Sequence, residues 1–149
     1  LLPDGARRAY SFTTRSGETD LVELHVRRQP GGRFTTHVFD RMRVADRVRF
    51  EGPLGAFVLR EPSARPLIFV AGATGFAPVK SLVEQAFAMG LARPLHFYWG
   101  VRSRRDLYLA ELPERWAAEH DNFRFVPVLS EPGPNDAWTG RTGLVHEAI

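Results

Sequence analysis

Hydrophobic positions along this chain follow two different rhythms. Up to residue 59 they fall in short runs with no helix of crossover length between them, and beyond residue 66 apolar runs alternate with stretches of helical spacing. In the first part, Arg8-Ala9-Tyr10-Ser11-Phe12-Thr13, Leu21 to Arg27, Val48 to Glu51 and Ala56 to Leu59 read as strands. Ser16-Gly17-Glu18, Pro30-Gly31-Gly32 and Gly52-Pro53-Leu54-Gly55 read as turns, and residues 1–7, with Pro3, Asp4 and Gly5, as a polar loop. Phe34 to Met42 reads as a short helix with Thr35 or Thr36 near its start. Residues 60–66, with Glu61, Pro62, Ser63 and Pro66, read as a linker.

In the second part, Leu67-Ile68-Phe69-Val70-Ala71 is the kind of run that a parallel strand buried on both faces shows. Gly72-Ala73-Thr74-Gly75 predicts a tight turn, and Pro78 fits the first turn of a helix. Val79, Leu82, Val83, Ala86 and Phe87 continue that helix to a stop at Gly90. Leu95 to Trp99 and Asn122 to Leu129 predict two more strands. Between them Asp106 caps a helical stretch and Pro113 opens another through Trp116. Gly140-Arg141-Thr142-Gly143 predicts a turn into a helix start.

Strands without crossover helices imply an antiparallel sheet, and strands alternating with helices imply βαβ units. The expected fold is therefore a β-rich domain over residues 1–62, part of an antiparallel barrel, followed by a Rossmann-like parallel α/β domain over residues 63–149. Four short strands cannot close a barrel, and three parallel strands make a thin sheet. Both ends are expected to continue in a longer two-domain protein.

Composition narrows the chemistry. The chain is 44% hydrophobic and 25% charged, as in soluble globular proteins, and shows neither a membrane-length apolar run nor a signal pattern. With no cysteine, these residues hold no disulfide, thiolate metal site or cysteine-ligated iron–sulfur cluster. A cytoplasmic setting fits. The histidines at 25, 37, 96, 120 and 146 form no metal spacing and read as structural or surface residues. Lys80 is the only lysine, so arginine fills 19 of 20 basic positions, seven of them between Arg27 and Arg49. Without interleaved stacking aromatics or a reading motif, that cluster suits ligand phosphates, an acidic partner or plain solvent better than nucleic acid.

A strand, a glycine turn and a helix aim free backbone N–H groups and a helix dipole at one point, which suits a phosphate. The same arrangement also joins a strand to a helix in domains that bind nothing there. It is neither a P-loop nor the dinucleotide fingerprint: glycine is missing at Thr74 and Val79 for the first, and at Thr74 and Ala77 for the second. Pro30-Gly31-Gly32 before Phe34 makes a second possible cradle.

Four segments in order resemble the ferredoxin–NADP⁺ reductase superfamily: Arg8-Ala9-Tyr10-Ser11, Gly32-Arg33-Phe34-Thr35, Gly52-Pro53-Leu54-Gly55-Ala56-Phe57 and Gly72-Ala73-Thr74-Gly75-Phe76-Ala77-Pro78, with Ala73 where glycine is common. Tyr98-Trp99-Gly100, Asp106-Leu107-Tyr108-Leu109 and Pro127 to Pro132 look most like the reductases that accompany a sugar-nucleotide 3-dehydrase or phenol hydroxylase. The resemblance implies a Greek-key FAD-binding barrel ahead of an NAD(P)-binding domain. It implies that Arg8 pairs with the FAD pyrophosphate, Tyr10 lies on the isoalloxazine and Ser11 hydrogen-bonds near flavin N5. It implies that the backbone of His25, Val26 and Arg27 runs along the flavin edge, and that Gly31, Gly32 and Thr35 hold the pyrophosphate. Gly72, Thr74 and Gly75 then seat the nicotinamide dinucleotide, with Gly100, Val101 and Arg102 on its adenosine side. Tyr10, Ser11 and Thr74 are the implied catalytic residues, and no metal is implied here.

The implied activity is an FAD-dependent NAD(P)H oxidoreductase passing single electrons to an iron–sulfur domain or protein that serves a dehydrase or oxygenase. The alternative is a non-catalytic flavin- or nucleotide-binding subunit of a larger complex. A [2Fe–2S] cluster belongs on segments outside this sequence. Arg102, Arg104 and Arg105 could meet a 2′-phosphate, but the resemblance to those reductases leans toward NADH.

Overall fold

The computed structural model describes residues 5, 7–17 and 20–149. The expected loop residues Pro3 and Asp4, and Glu18 of the first expected turn, lie outside the described residues.

One parallel sheet dominates. Its strands are β1 (Leu67–Gly72), β2 (Leu95–Val101), β3 (Phe123–Leu129) and a two-residue β4 (Arg141–Thr142), in the spatial order β1-β2-β3-β4. Register pairs Phe69 with Phe97 and Phe97 with Phe125, so aromatic rings stack across neighbouring strands. Two helices connect them: α2 (Phe76–Ala88) and α3 (Glu111–Glu119). Each strand adds to the same side of its predecessor. Right-handed crossovers then put both helices on one face. That face carries the core of Phe69, Ala71, Leu95, Phe97, Trp99 and Leu129 beneath Phe76, Val79, Val83 and Trp116. The opposite face is covered at Val126 and Val128 by a 3₁₀ turn, Val145–Ala148, whereas Ile68 and Val70 on β1 remain exposed.

The helix α2 buries Phe76, Ala77, Val79, Val83 and Ala86 along one stripe, as its spacing predicts. It starts at Phe76, so Pro78 falls in its first turn. Gly90 ends it at φ 63°, its N–H on Phe87 O. Three expectations need correction in this half. The strand β1 is buried on one face only, because no described layer covers Ile68 and Val70. Asp106 closes a 3₁₀ turn over Arg104–Asp106 instead of capping a following helix: its carboxylate accepts from the N–H and hydroxyl of Ser103. The segment after Gly140 forms β4 before its helical turn, because Gly143 N–H reaches Leu129 O and draws the chain against β3.

The first 66 residues differ more. A helix, α1 (Arg33–Asp40), forms where one is expected. The four expected strands do not: the described residues there make a single antiparallel bridge, Phe12 to Leu24, supported by Thr13 N–H on Glu23 O. No barrel is formed among the described residues. The physical reason is visible in exposure. Phe50, Phe57 and Val58 are 58%, 67% and 59% exposed, so no facing layer rewards their ordering into a sheet. Polar contacts tie this part to the sheet layer, two side chains among them bonding backbone carbonyls. Ser81 Oγ donates to Thr14 O at 2.8 Å, and Arg93 donates to the carbonyls of Ser63 and Arg60 in the linker.

Candidate functional site

The C-terminal ends of parallel strands are where loops and helix N-termini converge, and the cavity lies there. Its volume is about 350 Å³. Three segments wall it: His25, Val26 and Arg27 from the first half, Ala73 and Thr74 from the turn after β1, and Arg105, Asp106 and Tyr108 from the loop after β2.

The turn is built from its neighbours. Ala73 has φ 46°, in the left-handed region that favours glycine. It is held there by Trp99, fully buried on β2, whose indole N–H donates to Ala73 O at 2.8 Å. Gly72 precedes it in extended conformation, and a Cβ placed on Gly72 would meet nothing within 4 Å. The approach to the N-terminus of α2 is thus open to a ligand, as a dinucleotide pyrophosphate requires.

Opposite the turn, the His25 side chain is only 10% exposed. Its Nδ1 lies 2.6 Å from the Tyr108 hydroxyl, and its Nε2 lies 3.9 Å from a Glu23 oxygen. Burial, only partly offset by Glu23, lowers the imidazole below its usual value. Tyr108 is 42% exposed and borders the cavity. Burial of its hydroxyl, with the Glu23 carboxylate second, still raises the phenol well above its usual value. A neutral imidazole that carries its proton on Nε2, toward Glu23, lets Tyr108 donate to Nδ1. Glu23 is itself held by the Thr13 hydroxyl at 2.6 Å and by Lys80 at 3.2 Å, which lower its carboxyl against the opposing effect of burial. Lys80 also pairs with Glu84 at 3.0 Å. Burial works to lower the ammonium, yet its two carboxylate partners leave it raised.

The remaining expected site residues fall elsewhere. Tyr10 packs against Phe34 at 5.1 Å between ring centres, near the start of α1. Arg8 and Ser11 are exposed, Arg8 donating to Arg7 O. The Phe12–Leu24 bridge runs Tyr10 and Ser11 antiparallel to the 25–26 segment, but none of Arg8, Tyr10 and Ser11 walls the cavity. Gly31, at φ 71°, and Gly32 lead into α1, where the buried Thr35 hydroxyl donates to Gln29 O and Gly32 O. A Cβ on Gly32 would come within 2.7 Å of that hydroxyl, so the close approach of Thr35 requires glycine here. Gly75 stands at the N-terminal end of α2.

Gly100, Val101 and Arg102 lie outside the cavity as well. A Cβ on Gly100 would stand 2.6 Å from Val145 Cβ, Val101 is buried, and Arg102 is bound to Glu131 at 2.6 Å. The structure therefore brings His25, Val26, Arg27 and Thr74 together. It adds Tyr108, Asp106 and the imidazole of His25, which sequence reading took as structural. Tyr108 stood inside a segment matched to relatives, and nothing in its local pattern distinguished it from a surface aromatic.

Residues 69–149 match the oxidoreductase NAD-binding domain family, and residues 3–59 match the oxidoreductase FAD-binding domain. The CDP-6-deoxy-L-threo-D-glycero-4-hexulose-3-dehydrase reductase of Yersinia pestis is 40% identical over 149 residues, covering 100% of this chain and 44% of the relative. The phenol hydroxylase P5 protein of Acinetobacter pittii is 37% identical over 142 residues, covering 95% of this chain and 40% of the relative. The crystal structure of the Amycolatopsis cytochrome P450 reductase GcoB superposes with a TM-score of 0.87 at 40% identity, covering 98% of this chain and 44% of that one. The chain thus spans less than half the length of each of these three relatives. On these matches and on its parallel sheet, the chain belongs to the oxidoreductase NAD-binding domain family, within the ferredoxin–NADP⁺ reductase superfamily and with an FAD-binding segment ahead of it.

Proposed function

We propose that this chain is the flavin- and nicotinamide-binding core of an NADH-dependent electron-transfer reductase in the cytoplasm. In the complete protein, residues 1–62 contribute to a Greek-key FAD-binding barrel, whose strands are paired among the described residues only at the Phe12–Leu24 bridge, and residues 63–149 form the dinucleotide domain. The observation that carries the reading is the shared cavity: the segment expected along the flavin edge, His25 to Arg27, faces the turn expected to seat the dinucleotide, Ala73 and Thr74, across one space. The chemistry supplied by the bound pair is hydride transfer from reduced nicotinamide to flavin, then single-electron release to an iron–sulfur centre serving a dehydrase or oxygenase.

The chain's own part is binding and orientation. Arg8 meets the FAD pyrophosphate with a forked charge-assisted contact. Tyr10 covers the flavin ring and excludes water, and Ser11 serves its N5 side. Gly31, Gly32 and Thr35 hold the pyrophosphate at the start of α1. Gly72, Thr74 and Gly75 seat the dinucleotide at α2, with Gly100, Val101 and Arg102 toward the adenosine. NADH over NADPH is favoured by the engagement of two arginines: Arg102 with Glu131, and Arg104 with Asp136 O. The carboxylate of Glu131 also repels a 2′-phosphate.

The test is to purify the complete protein and record its absorbance. A yellow flavin spectrum bleached by NADH faster than by NADPH in anaerobic stopped flow is expected. A colourless protein that takes up no FAD would overturn the reading.

A further inference from the structure

The cavity's three walls come from segments far apart in the chain, so something must set their spacing. The Phe12–Leu24 bridge ties the first wall only to its own neighbour strand. The anchors Ser81–Thr14 and Lys80–Glu23 act further along α2. The Arg27–Asp106 ion pair crosses the mouth at 3.2 Å, but Arg27 is 55% exposed there, and such pairs contribute little.

One side chain, itself on the third wall, bonds the first directly and reaches the second through Trp99. The Tyr108 hydroxyl bonds His25 at 2.6 Å. Its ring stands edge-on to Trp99, centroids 5.3 Å apart at 89°, and the Trp99 indole in turn holds the Ala73 carbonyl. Phe76, the first residue of α2, fills the space beneath, 6.0 Å from His25 and 4.5 Å from Trp99. The path from His25 through Tyr108 and Trp99 to Ala73 is unbroken, and every link is directional or aromatic.

We infer that Tyr108 is a positioning residue of this site: through His25 on one side and Trp99 on the other, it fixes the gap between the flavin wall and the dinucleotide turn. This rests on the function proposed above. Hydride transfer falls steeply with misplacement of the reacting atoms. A lost tether therefore acts on the rate of the chemical step, while contacts that hold the dinucleotide stay intact.

The test uses the complete FAD-loaded protein and the variant Tyr108→Phe, which keeps the ring against Trp99 and removes only the bond to His25. At saturating NADH, flavin reduction is expected to slow about tenfold, the size of one lost hydrogen bond, with the Kd for NADH within about twofold of the parent's on the same scale of argument. A second readout needs no turnover. Nitrogen-15 NMR should show His25 protonated on Nε2 in the parent. In Tyr108→Phe the His25 titration should move, because the hydroxyl that bonds Nδ1 is gone. The charged groups facing it, Glu23 with Lys80 and Glu84 behind, and Arg27 with Asp106 beside, are unchanged between the two proteins.

His25→Gln offers an amide acceptor and should retain most of the rate, whereas His25→Leu should reproduce the loss. These two variants decide the matter if Tyr108→Phe folds poorly. An unchanged reduction rate, an unmoved His25 titration, or NADH affinity falling in step with the rate overturns the inference. A parent protein that neither holds FAD nor is reduced by NADH overturns the functional reading first, and is recognised before any variant is made.

Discussion

A methyl group separates the fates of the glycines at the ends of β1 and β2. On Gly100 it would be driven to 2.6 Å from Val145 Cβ, on a short turn packed against β2 and β3. Gly100→Ala is expected to lose about 1–3 kcal/mol from overpacking, read as a lower thermal midpoint. On Gly72, at φ −112°, it would enter open space, so the fold should tolerate it. Gly72→Ala should melt within a few degrees of the parent and still bind NADH more weakly, because the methyl occupies the phosphate approach. Equal NADH affinity by calorimetry would count against the proposed seat. Charge at His25 gives a pH dependence whose sign follows from burial. The folded imidazole titrates below the unfolded one, so the unfolded chain binds more protons across that interval. Stability is complete above the ordinary histidine value and is lost as pH falls through it. Glu23, lowered by Thr13 and Lys80, adds a second loss as pH falls below the ordinary carboxylate value. Denaturant titrations across pH 4–8 should show both slopes, and His25→Gln should remove the upper one.

Elements differ in how plainly their residues announce them. The strands β1, β2 and β3 bury Phe69, Ala71, Leu95, Phe97, Trp99 and Phe123 in a regular pattern, so an apolar run sufficed to place them within a residue or two. The helix α2 was legible for the same reason. The two residues of β4 were not, since Arg141 and Thr142 are both exposed and pair only because Gly143 turns back onto Leu129. Val48–Glu51 alternates in sequence and Ala56–Leu59 is a short apolar run, but either becomes a strand only beside a partner and under a covering layer. Site legibility divided in the same way. The glycine turn carried local marks and the 25–27 segment came in through the family resemblance, whereas Tyr108 joins the cavity through a contact with His25, 83 residues away. The residue that welds these elements is Phe76, fully buried and in ring contact with Phe97, Trp99 and Trp116. Phe76→Ala is expected to cost about 3–5 kcal/mol, measured by denaturant unfolding, and to loosen the turn at Ala73 along with the core.

At the scale of the whole molecule, a well-packed layer carries a loosely built partner through a few polar fastenings. The Arg93 guanidinium is the one that grips the linker, donating to Ser63 O and to Arg60 O. Arg93→Gln cannot reach both carbonyls. Limited proteolysis should then cut within residues 60–66 several-fold faster than in the parent, the population of open linker rising as about one to two hydrogen bonds are lost. Equal cleavage rates would show that the linker is held elsewhere. The buried indole at Trp99 also has a practical consequence. Its N–H props the very turn where a dinucleotide is proposed to land, so once Trp116 and Trp138 are replaced by phenylalanine its ultraviolet emission becomes a built-in optical gauge of that carbonyl's surroundings.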